Sequence, residues 1–369
     1  MVYVIGLSLV MAGAILPATT TNWMASAYHS IRPCRAMEQV LHQLEHESKL
    51  TGISYQQESR PLQAQGLSNG YLKRLARALE THFERFSRNE SEQFKYIQDL
   101  NLIANIFDDR GVKHVLAALE HPHAYTTSLL LGRNTLIGDE TALGLANLVA
   151  SGGGNNQNLT WLALGGTAIT RNGIGSLYKA LGTRPFSLLG FDYTYRPSWS
   201  QRILPLRTNP IADSFPQLHQ ASLLKELSLT GNRLEDEEML ELTKSILQTN
   251  ITMLGLTNNR LSPRGIRDLL PLTKHLQKLE LSMNRGIGDE GAILLANALK
   301  SNDTTIETLT LVECDITQTG ADAFRSIFPE NTKLKHLLLS HKDNGRIRAE
   351  TLQSIKEATA PNWDRSKRH

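Results

Sequence analysis

The sequence has few of the residues that build disulfide-bonded or strongly charged proteins. It contains only two cysteines in 369 residues, Cys34 and Cys314, which excludes a framework of several disulfides and is consistent with a reducing compartment. Its 39 basic and 36 acidic residues give a formal net charge of +3. Because a dedicated nucleic-acid binder needs a strongly basic face, this balance predicts that nucleic acid is not the partner.

Motifs of common catalytic and cofactor chemistry are also absent. The sequence has no P-loop, no H-E-x-x-H, no C-x-x-C and no G-x-S-x-G nucleophile elbow. His114, His121 and His123 lie close together, but no cysteine or well-spaced carboxylate completes a set of four metal ligands. The sequence therefore predicts no catalytic residues, no cofactor and no metal.

Apolar runs of membrane-spanning length are lacking as well. The uncharged run at residues 2–16 has fifteen residues, whereas a spanning helix needs about 20. No Lys or Arg precedes it, as a secretory signal would require. Residues 1–37 are therefore open to three interpretations: an apolar leader or mis-assigned start, with Met24 or Met37 as the true start, a cleaved signal, or an anchor. We favour the first, because a polar helical pattern opens at Met37, and predict no stable membrane span.

The sequence does contain a nine-residue pattern, L-x-x-L-x-L-x-x-N, that recurs nine times at intervals of about 28 residues. The copies begin at positions 97, 126, 159, 186, 224, 251, 276, 306 and 334. The L-x-L part predicts a short strand, the Asn predicts a turn, and the segment that follows has apolar residues at helical spacing. Because such units bury their apolar faces against their neighbours, we predict an α/β solenoid with a concave parallel sheet and convex helices over residues 97–358.

The repeat length and the helical segment Asp289–Leu299, DEGAILLANAL, resemble leucine-rich repeats of the ribonuclease-inhibitor type. The resemblance covers about residues 97–358 and is specific for the fold. It is weak for function, because proteins of this type include nuclease inhibitors, innate immune sensors, activators of a small nuclear GTPase and effectors injected by intracellular bacteria.

The segments around the repeats are predicted from their composition. Residues 38–96 are charged and helical in pattern, and we interpret them as an N-terminal cap, with a partner-binding helix as the alternative. An insertion at about residues 193–222 is rich in aromatic and arginine residues and is either a binding loop or a cover for the sheet. The last repeat helix is expected at residues 349–358, followed by a mobile basic tail at residues 359–369.

The strand register predicts where a protein partner would bind. In each repeat the leucines point inward, and the residues between them face the concave side. Exposed aromatic and apolar side chains often anchor interfaces, so we expect an apolar patch on this side with charged neighbours. The predicted partner-binding residues are Leu130, Arg133, Trp161, Leu188, Asp192, Tyr193, Trp199, Glu226, Met253, Lys278 and Glu280.

Together these patterns predict a monomeric, non-catalytic module that binds a protein partner through its concave face. The eroded repeats, the single cysteine within them and the absence of a sensor domain resemble an effector delivered into a host cell. Such an effector would act in the host-cell cytosol on a host protein or on a second effector; without delivery we expect a cytoplasmic protein. The alternatives are a GTPase-activator-like or other enzyme-regulating repeat protein, and a repeat inhibitor or immune-sensor-like receptor.

Overall fold

The computed structural model describes residues 38, 41, 42, 44, 67–87, 99–151, 159–192, 209–300, 303–328, 330–339 and 347–366. These residues form two compact units. The first unit holds the described residues up to Leu159 together with Gly166–Ile169, and the second holds residues 160–165, 170–192 and those from Asn209 onward. The leader at residues 1–37 and the first part of the insertion, residues 193–208, lie outside the described residues.

The first unit contains a helix, Asn69–Ser87, that packs against the helix of the first repeat. Leu72, Leu75, Leu79 and Phe83 are buried along one side of this helix, which matches the amphipathic pattern of the sequence. Its role as a cap stays a prediction. The elements whose bounds the structure describes in this unit are α1 (Asn69–Ser87), β1 (Asp99–Asn101), α2 (Asp109–Leu119), β2 (Ser128–Leu130) and α3 (Asp139–Ser151), and β1 and β2 pair in parallel.

The second unit contains seven of the described strands, each paired in parallel with the next along the chain. The strands are β3 (Trp161–Ala163), β4 (Phe186–Gly190), β5 (Leu224–Ser228), β6 (Met253–Gly255), β7 (Lys278–Glu280), β8 (Thr308–Thr310) and β9 (His336–Leu338). The helices are α4 (Arg171–Leu181), α5 (Met239–Ile246), α6 (Pro263–Leu269), α7 (Gly288–Leu299), α8 (Gln318–Ile327) and α9 (Ala349–Ser366). The described 3-10 helices of this unit lie at Ala212–Gln220, Asp236–Glu238 and Leu270–Lys274.

Every predicted repeat forms a strand that includes the third to fifth positions of the nine-residue pattern, and β4 and β5 begin at its first position. The central residue of each triplet from β1 to β8 is buried in the core, and Leu227, Leu254, Leu279 and Leu309 are each 1% exposed. Each buried leucine contributes about 1.5–3 kcal/mol relative to an exposed one. The predicted α/β leucine-rich repeat fold is therefore confirmed, with strands and helices alternating as the periodicity indicated.

Where the ninth position of the pattern is an asparagine, its side chain can join the repeat to the one before it. The Nδ2 group of Asn284 donates to the carbonyl oxygens of Leu256 at 2.9 Å and Leu281 at 2.7 Å, and its Oδ1 accepts the backbone N–H of Asn259 at 3.1 Å. Asn134 makes the same kind of bonds in the first unit. The residue just before this asparagine adopts a left-handed conformation, as at Met283 with φ 63°. The asparagine thus satisfies backbone groups that the sharp turn leaves inside the protein.

Two parts of the fold differ from the sequence-based expectation. Residues 212–220, predicted to lie in a loop, form a 3-10 helix that packs against α4 and α5 and buries Phe215 and Leu218. The two apolar side chains draw this segment into the core, so that it takes the place of a repeat helix. The last helix, predicted to end near residue 358, continues to Ser366.

Candidate protein-binding face

The third- and fifth-position side chains of β3 to β9 share one face of the sheet in the second unit, which we call the open face. Alternation along each strand sends the central leucine to the core and its two neighbours to the opposite side. Strand pairing then places the third-position residues in one row across the sheet. In order from β3 to β9 this row is Trp161, Leu188, Glu226, Met253, Lys278, Thr308 and His336.

The fifth-position row beside it consists of small residues over four strands. Ala163, Gly190, Ser228 and Gly255 follow one another from β3 to β6, and Glu280 comes next on β7. A Cβ atom at Gly255 would lie 3.1 Å from Ser228 Oγ and 3.5 Å from Glu280 Oε2. The missing side chain therefore lets Ser228 and Glu280 approach Gly255 from both sides.

Asp192 lies just beyond β4 and is held by Ser228, the last residue of β5, and by Thr230, which follows that strand. Its carboxylate accepts hydrogen bonds from the Ser228 hydroxyl and from the backbone N–H of Thr230 at 3.3 Å. Desolvation by neighbouring groups raises the pKa of Asp192, and the negative charge of Glu280 raises it further. The two hydrogen bonds act in the opposite direction but do not reverse the shift.

Glu226 and Glu280 bring two further carboxylates to the same face. Desolvation raises the pKa of Glu226, with the charge of Lys278 lowering it and the charge of Glu280 raising it. Lys278 Nζ lies 2.6 Å from Glu280 Oε1, so the lysine is already engaged in an ion pair. Three carboxylates and one ammonium group thus lie on or beside this part of the open face.

Six of the predicted partner-binding residues lie together on the open face, with a seventh beside it. Glu226, Lys278 and Glu280 form its charged part, and Asp192 adjoins them. The apolar members are half-buried in the described structure: Trp161, Leu188 and Met253.

The remaining predicted residues have different positions. Leu130 was expected on an exposed patch, but only 3% of its surface is exposed, and all three residues of β2 are buried. The pattern L-x-L assumes that one face of every strand is open, and at β2 burial of the additional leucine is the more stable arrangement. Arg133 lies in the first unit, in the left-handed turn position with φ 61°. Tyr193 and Trp199 lie outside the described residues.

Three residues that shape this face are not among the predicted partner-binding residues. Ser228 and Thr230 hold the Asp192 carboxylate, and Gly255 provides the space between Ser228 and Glu280. The signal that could have identified them is their position in the repeat, which is the fifth for Ser228 and Gly255 and the seventh for Thr230. Side-chain size, however, does not by itself reveal which small residues serve a site.

Metal-binding and membrane-spanning features are absent from the described part of the chain. Within it, no group of three or more His, Cys, Asp or Glu residues is arranged to hold a metal ion. None of its helices is both long and apolar enough to cross a membrane.

Comparison with known proteins places the repeats in a known class. Residues 274–296 match the family model described as Leucine Rich repeat. The chain is 35% identical over 129 residues to ribonuclease inhibitor of Sus scrofa, covering 34% of this chain and 28% of that protein. It is 28% identical over 257 residues to human NACHT, LRR and PYD domains-containing protein 12, covering 67% of this chain and 22% of that protein. The chain thus spans less than a third of the length of either relative.

A solved structure with a similar arrangement is the leucine-rich repeat-containing protein LegL7 from Legionella pneumophila. The two share 15% sequence identity with a TM-score of 0.46, over 76% of this chain and 86% of that chain. The strand–helix units and the sequence relatives show that this is a leucine-rich repeat protein with repeats of the ribonuclease-inhibitor type.

Proposed function

We propose that this protein is a non-catalytic module that binds a protein partner on the open face of its second unit. One observation carries the proposal: Trp161, Leu188 and Met253 lie in one row on the side of the sheet opposite the core, each with part of its apolar surface exposed. Aromatic and apolar side chains in such positions anchor protein interfaces. Ribonuclease inhibitor, one of the relatives, is by its name an inhibitor of another protein, which supports the same kind of action here.

The proposal is tested by affinity capture with the immobilised full-length chain. A variant with Trp161→Gln and Met253→Gln removes two apolar anchors without adding charge. A matched control carries Leu240→Gln and Leu247→Gln, at α5 and the residue after it, where the leucines are 49% and 45% exposed. We expect a partner that is retained by the wild type and by the control and lost by the open-face variant, with circular dichroism spectra that are the same for all three.

Two results would contradict this proposal. Equal capture by the open-face variant and the control would move the binding site away from the open face. Enzymatic turnover that is unaffected by the open-face substitutions would support the alternative of a GTPase-activator-like or other catalytic repeat protein.

The more specific proposal is that the partner is a host protein or a second effector, and that the chain acts in the cytosol of a host cell. It is supported by the single cysteine within the repeats, Cys314, and by the eroded copies of the pattern. Parallel capture from eukaryotic and bacterial lysates tests it. Retention of a eukaryotic protein, or of a bacterial effector, agrees with it, whereas a bacterial housekeeping protein as the sole ligand of the open face contradicts it.

A further inference from the structure

We infer that the open face recognises a partner segment that presents a lysine or arginine side chain next to an apolar one. The cationic side chain would lie on Glu226, between Leu188 and Met253. This inference rests on the proposed function and adds the chemistry of the partner.

The register places a carboxylate between two apolar side chains. Glu226 pairs with Leu188 on one side and with Met253 on the other. Adjacent strands lie about 4.8 Å apart, so the three side chains are immediate neighbours in the row. Lysine and arginine have an apolar stem and a charged head. Such a side chain can pack its stem against Leu188 and Met253 while its head reaches the carboxylate.

The charge of the open face is opposite in sign to that of the whole chain. At the third and fifth positions of β3 to β9 and at Asp192, the charged residues are three carboxylates, Asp192, Glu226 and Glu280, and one ammonium, Lys278. Three negative charges and one positive charge give a net −2, whereas the chain as a whole has a net charge of +3. The negative charge is therefore concentrated on the face that carries the apolar side chains, and it is complementary to a basic partner.

The charges already present on the open face are largely committed to other groups. Lys278 forms its ion pair with Glu280, and Asp192 is held by Ser228 and Thr230. The pKa of Glu226 is raised by desolvation, lowered by the charge of Lys278 and raised by repulsion from Glu280, with a net upward shift. A cation from a partner would relieve this repulsion and form a charge-assisted hydrogen bond, which is stronger than a bond between neutral groups.

Because of the apolar neighbours of Glu226, a partner segment must supply both a basic and an apolar side chain. Trp161 and Leu188 pair across β3 and β4, so apolar surface continues from Glu226 toward β3. A segment with a basic residue alone would leave this surface uncovered, and a purely apolar segment would bury the Glu226 carboxylate without a partner, which is costly. The face therefore selects sequences in which basic and apolar residues alternate or adjoin.

A library of random twelve-residue peptides displayed on phage tests the inference, with the full-length chain as the immobilised target. Selection is run in parallel on the wild type, on Glu226→Gln, and on Glu237→Gln as the control. Glu237 is an exposed carboxylate that pairs with Arg264 away from the open face, so its loss removes the same charge elsewhere. A further selection uses the Trp161→Gln, Met253→Gln variant.

We expect peptides with a lysine or arginine beside an apolar residue to be enriched on the wild type and the control. Their affinity for Glu226→Gln should be about tenfold lower, with the difference shrinking as salt is added. The inference is overturned if the enriched peptides lack basic residues, or if they bind Glu226→Gln and Glu237→Gln with equal affinity.

The outcomes separate this inference from the proposed function. Neutral or acidic peptides whose binding is lost in the Trp161→Gln, Met253→Gln variant would leave the open face as a binding site and reject only the cationic partner. If no selected peptide depends on Glu226, Trp161 or Met253 for its binding, both the inference and the proposed function are rejected.

Discussion

The carboxylate of Asp289, in the first turn of α7, binds Thr317, which precedes α8. Its Oδ1 accepts the backbone N–H of Thr317 at 2.7 Å, and its Oδ2 accepts the Thr317 hydroxyl at 2.5 Å. Oδ1 also accepts the backbone N–H of Gly320 at 3.0 Å. A Cβ atom at Gly320 would lie 2.7 Å from Oδ1, so the glycine is required for this approach. The acid of one repeat therefore caps the helix of the next.

The same bond recurs along the chain. Asp109 accepts the backbone N–H groups of Gly138 at 2.9 Å and Thr141 at 3.1 Å, and Asp236 accepts the N–H of Ser262 at 2.9 Å. Because a solenoid is held together by contacts between neighbouring repeats, these carboxylates contribute directly to the coupling between them.

Replacing Asp289 by asparagine should destabilise the chain. The amide of the Asp289→Asn variant would keep one acceptor oxygen, place an NH2 group against the Thr317 hydroxyl and lose the negative charge. Hydrogen bonds to charged groups contribute about 1.5–3 kcal/mol each. We expect the free energy of unfolding, measured by urea denaturation, to fall by about 2 kcal/mol. The control is Glu290→Gln, which removes an exposed ion pair with Arg267 and should cost less than about 1 kcal/mol. Equal losses in the two variants would contradict the capping role.

Replacing Asn284 by alanine should be more damaging than replacing Asn232. Asn284 is fully buried, and its loss would leave the Leu256 and Leu281 carbonyls and the Asn259 N–H without these partners. Asn232 is half-buried and donates to the Phe191 carbonyl at 2.9 Å. Because position 232 is only half-buried, water can donate a hydrogen bond to this carbonyl once the side chain is removed. We expect a loss of about 3 kcal/mol for Asn284→Ala and about 1 kcal/mol for Asn232→Ala in urea denaturation. A smaller loss at position 284 than at 232 would be inconsistent with this explanation.

The positions of the strands could be predicted because the leucine spacing determines which strand residues point toward the core. Leu254 and Leu279 are buried at the central strand position, as the pattern requires. The role of Asp289 could not be predicted, because its partner lies a full repeat further along the chain. Its place in the sequence indicates only that its negative charge suits the start of its own helix.

The composition of the open face could be predicted from register, but its boundary could not. The repeat spacing alone aligns Glu226 with Leu188 and Met253, and the strands pair in that register. Leu130 occupies the same kind of position and is nevertheless buried. The alternation of a strand gives the direction of a side chain, whereas its exposure depends on what packs over it, which the pattern does not contain.

Removing the charge of Glu226 should stabilise the folded chain at neutral pH. Because its pKa is raised in the folded state, the folded chain binds more protons than the unfolded chain in the window between the ordinary and the raised pKa. Stability therefore falls as the pH rises through that window. We expect Glu226→Gln to raise the free energy of unfolding by a few tenths of a kcal/mol at pH 7, since solvent screens this partly exposed group.

The pH dependence of the stabilisation, and a second variant with the opposite expected effect, test this electrostatic interpretation. The advantage of Glu226→Gln should disappear below the ordinary glutamate pKa of 4.5, where the wild-type carboxyl is also neutral. Lys278→Gln should act in the other direction at pH 7, because the lysine charge lowers the pKa of Glu226. The measurement is urea denaturation at about pH 4 and pH 7, on either side of that value. A stabilisation by Glu226→Gln that is the same at both pH values would exclude an electrostatic cause.

Cys314 should be unreactive until the chain unfolds. Burial raises the pKa of its thiol to about 12, and its Sγ donates to the Leu281 carbonyl at 3.2 Å in the place that asparagine has in other repeats. At pH 8 such a pKa leaves about one thiol in ten thousand as thiolate, so alkylation should be at least about a thousandfold slower than in the unfolded chain. The measurement is iodoacetamide labelling, with and without urea, of a Cys34→Ser variant, in which Cys314 is the sole cysteine. Because the neutral thiol is favoured in the folded state, stability should also decline as the pH rises above about 9. Rapid labelling of the folded chain would show that this repeat opens on its own and that Cys314 does not hold it closed as asparagine does elsewhere.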